Sequence, residues 1–336
     1  MAEITTPLLL ESPAKVNLRL EILRKREDGY HEIRTIFQKI NLHDRLYFSL
    51  KKRRGIQIRT DHPALPTGKK NLVHRAISFI MGKSDFKGGV DVLIEKRIPL
   101  GAGLGGGSSN AAATLRGLNQ LLNMDLSTKE LMEMGVQLGA DVPFFLFKGA
   151  AIGSGIGERL RKITLPRLWY ILIYPNFEVS TGWAYQNYML NRSKRANLTF
   201  KEEFKEDCSG LALSSSVSLN VMSISGGRLK DLRQEVKGLT KTKYHINLQE
   251  LLKSAKGISA LLYNDLERVV SSRFPEISLM REMLLGAGAE GALMTGSGPT
   301  VFGLFPEEQR AIEAFHQLKR RVRGKGWKIF QAHSIP

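Results

Sequence analysis

The stretch Pro99-Leu-Gly-Ala-Gly-Leu-Gly-Gly-Gly-Ser-Ser-Asn110 decides how this chain folds, because it places five glycines within residues 101–107, directly before a helical stretch. Glycine has no Cβ atom, so such a backbone can adopt positive φ angles and bring successive N–H groups close to an anion. The following helix, predicted from Ser108 or Ser109 to Leu122, adds its positive end at the same point. The stretch therefore predicts a phosphate-binding loop.

Two better-known glycine loops fit this stretch less well. The Walker A loop ends in Gly-Lys-Ser/Thr, and no lysine precedes Ser108. The dinucleotide pattern G-x-G-x-x-G is formally present at Gly101, Gly103 and Gly106, but a dinucleotide-binding unit continues from its helix into a second strand. Here Ser127 and Glu130 form a capping box that opens another helix. A nicotinamide-dependent oxidoreductase stays open as an alternative, for which tight NADH binding would be the signature.

Upstream of the loop the sequence predicts mainly strands, at residues 14–24, 31–42, 44–50, 56–60 and 90–98. Asp28-Gly29 is a turn signal between the first two strands. The basic run 51–54 ends at Gly55, and we expect it to be a solvated hairpin turn between strands 44–50 and 56–60. Asn71 is expected to cap a helix whose apolar residues fall on one face.

Downstream of Ala150 the pattern changes to an α/β order. It predicts a buried strand at 169–174, helices from Leu261 onward including one near Pro275, and then a strand near Ala292, a strand at 300–305, a helix at 306–322 and a strand at 327–333. The chain as a whole is predicted to be α+β, with domains at 1–165 and 166–336. Residues 192–258 are interpreted as an insertion, because this serine-rich and charged stretch buries little apolar area.

Composition limits the class of protein further. The 336 residues contain a single cysteine, Cys208, which excludes an intrachain disulfide framework and a cysteine zinc cluster. No charge-free apolar run is long enough to cross a bilayer and residues 1–11 do not resemble a signal peptide, so we expect a cytoplasmic protein. The net charge of +18 favours polyanionic ligands. An RNA-binding protein and an enzyme acting on nucleotides both satisfy that charge.

Several further motifs give the loop a family context. The loop with its Ser-Ser-Asn-Ala-Ala continuation resembles the second motif of the GHMP kinases, and Met294-Thr-Gly-Ser-Gly-Pro-Thr-Val-Phe302 resembles their third. Ser12-Pro-Ala-Lys-Val-Asn-Leu18, Asp28-Gly-Tyr-His-Glu32 and Gly139-Ala-Asp-Val-Pro-Phe-Phe145 resemble one branch of that family. The resemblance implies a two-domain fold, with an N-terminal ATP-binding domain like ribosomal protein S5 and a C-terminal ferredoxin-like α/β sandwich.

The resemblance also implies an activity. In that branch, ATP phosphorylates the 2-hydroxyl of a CDP-linked methylerythritol during non-mevalonate isoprenoid synthesis, giving ADP and the 2-phosphate. A GHMP kinase for another alcohol stays open as an alternative. The Asp28–Glu32 motif argues against it, since an acceptor without cytosine would not need this motif. RNA affinity that persists after replacement of Gly103 and Asp141 would instead favour a basic RNA-binding module.

Site residues follow from position and from the resemblance. Asp141 lies beside apolar residues, where a carboxylate needs a partner, and the resemblance supplies Lys15, with Asp141 as the catalytic base. A helix-end cap is the alternative for Asp141. The residues implied for ATP binding are Asn71, Lys96, Pro99, Gly101, Gly103, Leu104, Gly105, Gly106, Gly107, Ser108 and Ser109. Those implied for the acceptor are Asn17, Tyr30, His31, Phe37, Thr181 and Tyr185.

Several of these roles have alternatives in packing. Lys15 and Asn17 are two residues apart, so an extended segment directs both to one face. The resemblance implies that His31 hydrogen-bonds the edge of the cytosine while Tyr30 stacks on its face. Core packing is the alternative for Phe37 and Tyr185.

Magnesium is expected to arrive with ATP and to reach Ser109 or Asp141. The partners expected are small molecules, with no nucleic acid or membrane, for a monomer or weak homodimer.

Overall fold

A long antiparallel strand pair dominates the N-terminal half of this computed structural model, which describes residues 7–193 and 248–336. Strands β1 (Leu8–Lys25) and β2 (His31–Lys51) pair along their lengths and are joined by the predicted turn at Asp28-Gly29. The Asp28 carboxylate accepts a hydrogen bond from the Tyr30 amide at 3.1 Å, which closes this turn. Strand β2 also covers both of the strands predicted at 31–42 and 44–50, which are one continuous strand.

The remaining elements follow in chain order. The strands are β3 (Gly55–Thr60), β4 (Gly89–Glu95), β5 (Ala150–Ser154), β6 (Arg159–Ile163), β7 (Trp169–Tyr174), β8 (Tyr263–Asn264), β9 (Gly291–Met294), β10 (Val301–Phe305) and β11 (Lys328–His333). The helices are α1 (Leu72–Met81), α2 (Gly106–Leu121), α3 (Thr128–Leu138), α4 (Val142–Leu146), α5 (Thr181–Ser193), α6 (Leu248–Leu251), α7 (Ala255–Leu261), α8 (Glu267–Arg273), α9 (Glu276–Gly286) and α10 (Glu308–Arg323).

The first sheet corrects one prediction about strand order. Its main path is β3-β4-β2-β1-β8, with β5 paired to β2 and β6 to β5. Strand β4 lies between β2 and β3, so the run 51–54 turns the chain between two strands that are not neighbours. The predicted hairpin is wrong, because β3 instead pairs in parallel with β4 after the α1 crossover. A turn signal reports a reversal of the chain and not which strand fills the space beside it.

Local helix signals are confirmed where they concern caps. Asn71 caps α1, its side-chain oxygen accepting from the Val73 amide at 2.8 Å. Ser127 and Glu130 form the predicted capping box at the start of α3. Helix α2 begins at Gly106, two or three residues before the predicted start at Ser108 or Ser109, because Gly105 in the left-handed region (φ +71°) serves as its N-cap.

The second sheet has the strand order β11-β7-β10-β9 and is antiparallel throughout. Numbered in chain order, this is the 4-1-3-2 order of the ferredoxin-like sandwich, which the resemblance implies. Helices α8–α10 contribute buried residues to the core on one side of this sheet. A third core cluster joins the two sheets, with Val16 and Leu18 of β1 packed together with Tyr170 and Phe302.

The predicted insertion is only partly described. Residues 194–247, and with them Cys208, lie outside the described residues. From 248 onward the chain enters the fold, since Leu252, Ala255 and Ile258 are all buried in the cluster between the sheets. In the described ranges, no helix is long and apolar enough to cross a membrane.

Candidate active site

A cavity of about 1180 Å³ lies where the glycine-rich loop, the β1–β2 pair and helix α5 meet. Of the residues that the sequence predicts for catalysis, nucleotide binding and acceptor binding, all except Ser109 line it. Residues that are distant in sequence, such as Lys15, Asp141 and Thr181, share its wall.

The glycine-rich loop packs against a second tight loop at 295–298. Gly103 has a φ of +74°, and a Cβ atom on it would lie 2.3 Å from the Thr295 carbonyl oxygen, closer than real Cβ contacts. The second loop is held from behind by Asn264, whose buried amide donates to the Met294 and Gly296 carbonyls at 2.7 and 2.8 Å. The loop at 295–298 therefore braces the glycine-rich loop.

Lys15 and Asp141 form an ion pair in the cavity wall. The Lys15 ammonium lies 3.5 Å from the Asp141 carboxylate, and their side chains are 5% and 31% exposed. The ammonium also donates to the side-chain oxygen of Asn17, as expected for two residues on one face of β1. Asp141 occupies the N-cap position of α4, but its side chain makes no capping hydrogen bond. Its carboxylate is directed to Lys15, so the alternative role as a helix cap is not seen.

Aromatic side chains form the other end of the cavity. The rings of His31 and Tyr185 are 4.9 Å apart at an angle of 33°, whereas Tyr30 is 57% exposed at the rim. Burial, and then the charge of Lys25, lower the pKa of His31, which favours the neutral imidazole. Its Nε2 atom is buried and has no hydrogen-bond partner among the described residues. Burial and the nearby Asp141 charge raise the pKa of Tyr185.

Phe37 both lines the cavity and packs in the core, so its position is compatible with the acceptor role and with the packing alternative. Its ring lines the cavity below Lys15, with the ammonium 5.6 Å from the ring centroid. The same ring is only 1% exposed and stacks on Phe144 at 4.6 Å.

The nucleotide end has three polar residues that are already engaged within the protein. Asn71 caps α1 and also donates to the Pro66 carbonyl at 2.6 Å. The Lys96 ammonium is buried and pairs with Asp44 at 2.7 Å, and burial lowers its pKa despite that partner. Ser109 is 1% exposed, and its hydroxyl lies 2.7 Å from that of Ser12, outside the cavity wall.

Some residues of the site carry no sequence signal. Asp44 accepts hydrogen bonds from the Arg97 and Ile98 amides at 2.8 Å and so anchors the segment that leads into the glycine-rich loop. The Thr35 hydroxyl accepts a hydrogen bond from the side chain of Asn17. Asn17 belongs to one of the quoted motifs, whereas Thr35 belongs to none of them. The apolar lining residues that sequence reasoning did not select are Leu20, Ile33, Leu65, Ile156, Val179, Met189 and Leu190. Asn110 lies within the quoted loop, and that motif could have identified it.

Family comparisons agree with this geometry. The family model described as GHMP kinases N terminal domain matches residues 71–149, and the one described as GHMP kinases C terminal matches residues 245–324. The first match contains the glycine-rich loop and Asp141, and the second contains the loop at 295–298. Fold and site together thus define a GHMP kinase.

Relatives over nearly the full length narrow this class. A 4-diphosphocytidyl-2-C-methyl-D-erythritol kinase of Syntrophus aciditrophicus is 41% identical, over 98% of this chain and 99% of the relative. One of Syntrophotalea carbinolica is 38% identical, over 96% and 98%. A crystal structure of 4-(cytidine 5'-diphospho)-2C-methyl-D-erythritol kinase matches with a TM-score of 0.69 and 31% identity, over 98% of this chain and all of that one. The chain belongs to the 4-diphosphocytidyl-2-C-methyl-D-erythritol kinase family.

More distant structures share the fold alone. The mevalonate kinase of Methanococcus jannaschii matches with a TM-score of 0.66 at 15% identity, over 98% of this chain.

The alternatives of an oxidoreductase and of an RNA-binding module receive no support from the relatives and structures named above. Strand β5, which follows the glycine-rich loop and its helices, pairs with β2 and not with β4, unlike the order of a dinucleotide-binding unit.

Proposed function

We propose that this protein transfers the γ-phosphoryl group of ATP to the 2-hydroxyl of 4-diphosphocytidyl-2-C-methyl-D-erythritol, with ADP and the 2-phosphate as products. The observation on which this rests is the pairing of Lys15 with Asp141 at 3.5 Å in a cavity that has a glycine-rich loop on one side and His31 with Tyr185 on the other. The relatives act on this acceptor according to their names.

Phosphoryl transfer requires the protein mainly to position the acceptor, to stabilise the charge of the γ-phosphoryl group and to receive a proton. Asp141 is the base in this proposal, because its carboxylate is partly exposed to the cavity while capping no helix. Lys15 pairs with that carboxylate, holds its orientation and adds positive charge beside the transferred group. The glycine-rich loop and the start of α2 hold the β- and γ-phosphates through backbone N–H groups.

The aromatic end binds cytosine in this proposal. A neutral imidazole offers one donor and one acceptor, which suits the edge of a pyrimidine base. The buried Nε2 of His31 lacks a partner in the described part of the chain, and a bound base would satisfy it. Tyr30 stacks on one face of the base and Tyr185 lies near the other, while Thr181 reaches the acceptor from the start of α5.

Magnesium enters this proposal as the partner of ATP. Oxygen ligands suit Mg²⁺, and the cavity wall offers the carboxylate of Asp141 and the hydroxyl of Ser108. Ser109 is a poor candidate, because its hydroxyl is buried against Ser12. Among the described residues, no group of three or more His, Cys, Asp or Glu side chains is arranged to hold a metal ion. The ion would neutralise charge on the β- and γ-phosphate oxygens.

Three further points belong to the proposal. We place the boundary between the domains at residues 165–166, just before β7 opens the second sheet at Trp169. We assign the protein to the cytoplasm, as expected from its sequence. We expect it to act as a monomer or weak homodimer.

An assay of the purified protein tests the function. ADP release is measured with ATP, Mg²⁺ and 4-diphosphocytidyl-2-C-methyl-D-erythritol, and the phosphorylated position is read from the phosphorus and carbon NMR spectra of the product. We expect turnover with this acceptor only. Turnover with homoserine or mevalonate, and none with the cytidine compound, would refute the proposal.

A further inference from the structure

The side chain of Thr35 lies fully buried on β2, directly behind the Lys15–Asn17 pair. Its hydroxyl oxygen is 2.7 Å from the Arg19 carbonyl oxygen and 2.8 Å from the side-chain nitrogen of Asn17. It does not line the cavity. Thr35 thus contacts the side chain of Asn17, and Asn17 in turn accepts a hydrogen bond from the Lys15 ammonium.

The chemistry of these partners fixes the direction of each hydrogen bond. A hydroxyl has one hydrogen, and a backbone carbonyl can only accept, so the Thr35 hydrogen goes to Arg19. The Thr35 oxygen can then only accept, and it accepts from the amide NH₂ of Asn17. An amide rotated by half a turn would direct its oxygen at the Thr35 lone pairs and lose this bond.

The direction of the Asn17 amide has a consequence for Lys15. With its NH₂ group on Thr35, Asn17 presents its oxygen to the Lys15 ammonium, which donates to it. The rotated amide would place NH₂ hydrogens against an ammonium that has only donors. Asn17 is 2% exposed and its backbone amide donates to the Thr295 hydroxyl at 3.0 Å, so the strand beneath the amide is anchored as well.

We infer that Thr35 is a positioning residue for phosphoryl transfer, which orients the Asn17 amide and through it holds the Lys15 ammonium beside Asp141. The inference rests on the proposed function, because it assigns the Lys15–Asp141 pair to the transfer step. The Lys15 side chain is more buried than that of Asp141, so water does not replace Asn17 as a partner when the Lys15 ammonium is misplaced. Thr35 does not line the cavity and ATP is bound by other residues, so the rate of transfer falls while KM for ATP stays unchanged. Asn17 is itself implied for acceptor binding, so KM for the acceptor does not separate the two roles.

Thr35→Val tests the inference, because valine keeps the shape of threonine and removes the hydroxyl. We expect kcat to fall about 10- to 100-fold, the size of effect that a small misplacement of a catalytic group produces, while KM for ATP changes less than about twofold. Thr35→Ser restores the hydroxyl and should recover most of the loss. Thr35→Ala, which adds no new contact, gives the same test if the valine variant does not fold.

Thr114 supplies a matched control. It is also fully buried, and its hydroxyl donates to a backbone carbonyl, that of Asn110, at 2.7 Å. Thr114→Val should lower the melting temperature by a similar amount while kcat stays within about twofold. An equal loss of kcat in both valine variants would mean that a general loss of stability explains the result, and would overturn the inference.

A double-mutant comparison identifies the route through Asn17. In an Asn17→Ala background the hydroxyl has no amide to orient, so Thr35→Val should have little further effect on the residual kcat. An undiminished effect in that background would overturn the inference. If the wild-type protein does not phosphorylate the cytidine acceptor, the proposed function fails. If the wild type is active and Thr35→Val keeps its full kcat, only the inference fails.

Discussion

At the scale of single residues, the catalytic proposal depends most on Asp141. Asp141→Asn removes the negative charge and the proton acceptor while keeping the shape of the side chain. General base catalysis contributes about 10²- to 10⁴-fold, so we expect kcat to fall by that factor. KM for ATP should change little, because the glycine-rich loop and α2 are intact. Single-turnover kinetics with the cytidine acceptor measures this, and wild-type turnover would remove Asp141 from the mechanism.

Tyr30 tests the assignment of the aromatic end. Since its side chain is 57% exposed at the rim, Tyr30→Ala should leave the melting temperature unchanged. Stacking of a base on an aromatic ring is worth about 1–3 kcal/mol, so KM for the acceptor should rise about tenfold or more while KM for ATP stays constant. Tyr30→Phe keeps the ring and is the matched control. A rise in KM with phenylalanine as well would assign the effect to the hydroxyl and not to stacking.

Residues of the site differ in how readily the sequence reveals them. Lys15 and Asn17 are found because a strand directs alternate residues to one face and because their motif is specific. Thr35 and Asp44 are missed because their partners are mainly backbone groups of Arg19, Arg97 and Ile98, and such partners leave no residue-type pattern. Asn71 and Lys96 are found as residues near the cavity, but their polar groups are engaged by protein partners that only the fold brings near.

At the scale of elements, the contact between the two glycine loops shapes the nucleotide end. Gly103→Ala would place a methyl group 2.3 Å from the Thr295 carbonyl oxygen in addition to imposing a left-handed alanine. The loops must then separate, and with them the phosphate site and the strand that holds Asn17. We expect a rise in KM for ATP together with a fall in kcat, measured by initial rates over a range of ATP concentrations.

Gly326 separates the clash from the backbone strain. It has nearly the same φ, +72°, in the turn after α10, and apart from its chain neighbours no atom of the described residues lies within 4 Å of the site where its Cβ would be. Gly326→Ala should therefore show the strain of a left-handed residue alone, about 1–2 kcal/mol of unfolding free energy, without a change in kinetics. If Gly103→Ala lowers stability by no more than Gly326→Ala and retains normal KM values, the loop contact is not important for nucleotide binding.

Elements are predicted well where a local signal decides them and poorly where strand order decides. The caps at Asn71 and Ser127 and the strand at Trp169–Tyr174 depend on neighbouring residues, and the structure has them where the sequence predicts them. The hairpin after Leu50 fails because β4, which lies almost forty residues further on, pairs between β2 and β3. A turn sequence does not show whether the two strands that it connects are neighbours in the sheet.

At the scale of the whole molecule, the order of the motifs predicts the fold because each motif is placed on a different element around one cavity. The same order does not predict which charges the fold buries. Lys39 lies opposite Lys15 in the β1–β2 register, 8% exposed, with its ammonium 5.0 Å from the Phe144 ring centroid. It donates to the Phe147 carbonyl and has no carboxylate within 4 Å in the described part of the chain.

This buried cation makes the stability of the whole molecule depend on pH. Burial, and then repulsion from Arg116, lower the pKa of Lys39 from 10.5 to about 8 in the folded protein. Between these values the unfolded chain binds more protons at this residue than the folded protein does, so the free energy of unfolding rises with pH. One pKa unit corresponds to about 1.4 kcal/mol, so the rise amounts to about 3 kcal/mol from pH 8 to 10.5.

Lys39→Met removes that dependence. We expect the methionine variant to be more stable than the wild type at pH 7, where the buried charge is fully present, and the difference to shrink as the pH rises toward 10. Urea unfolding of both proteins at pH 7, 8, 9 and 9.5 gives the difference directly, and the tyrosines and other groups that titrate in both proteins cancel from it. Lys328→Met, at an exposed position of β11, controls for the loss of one positive charge. A constant difference across this pH range would mean that Lys39 keeps an ordinary pKa in the folded protein.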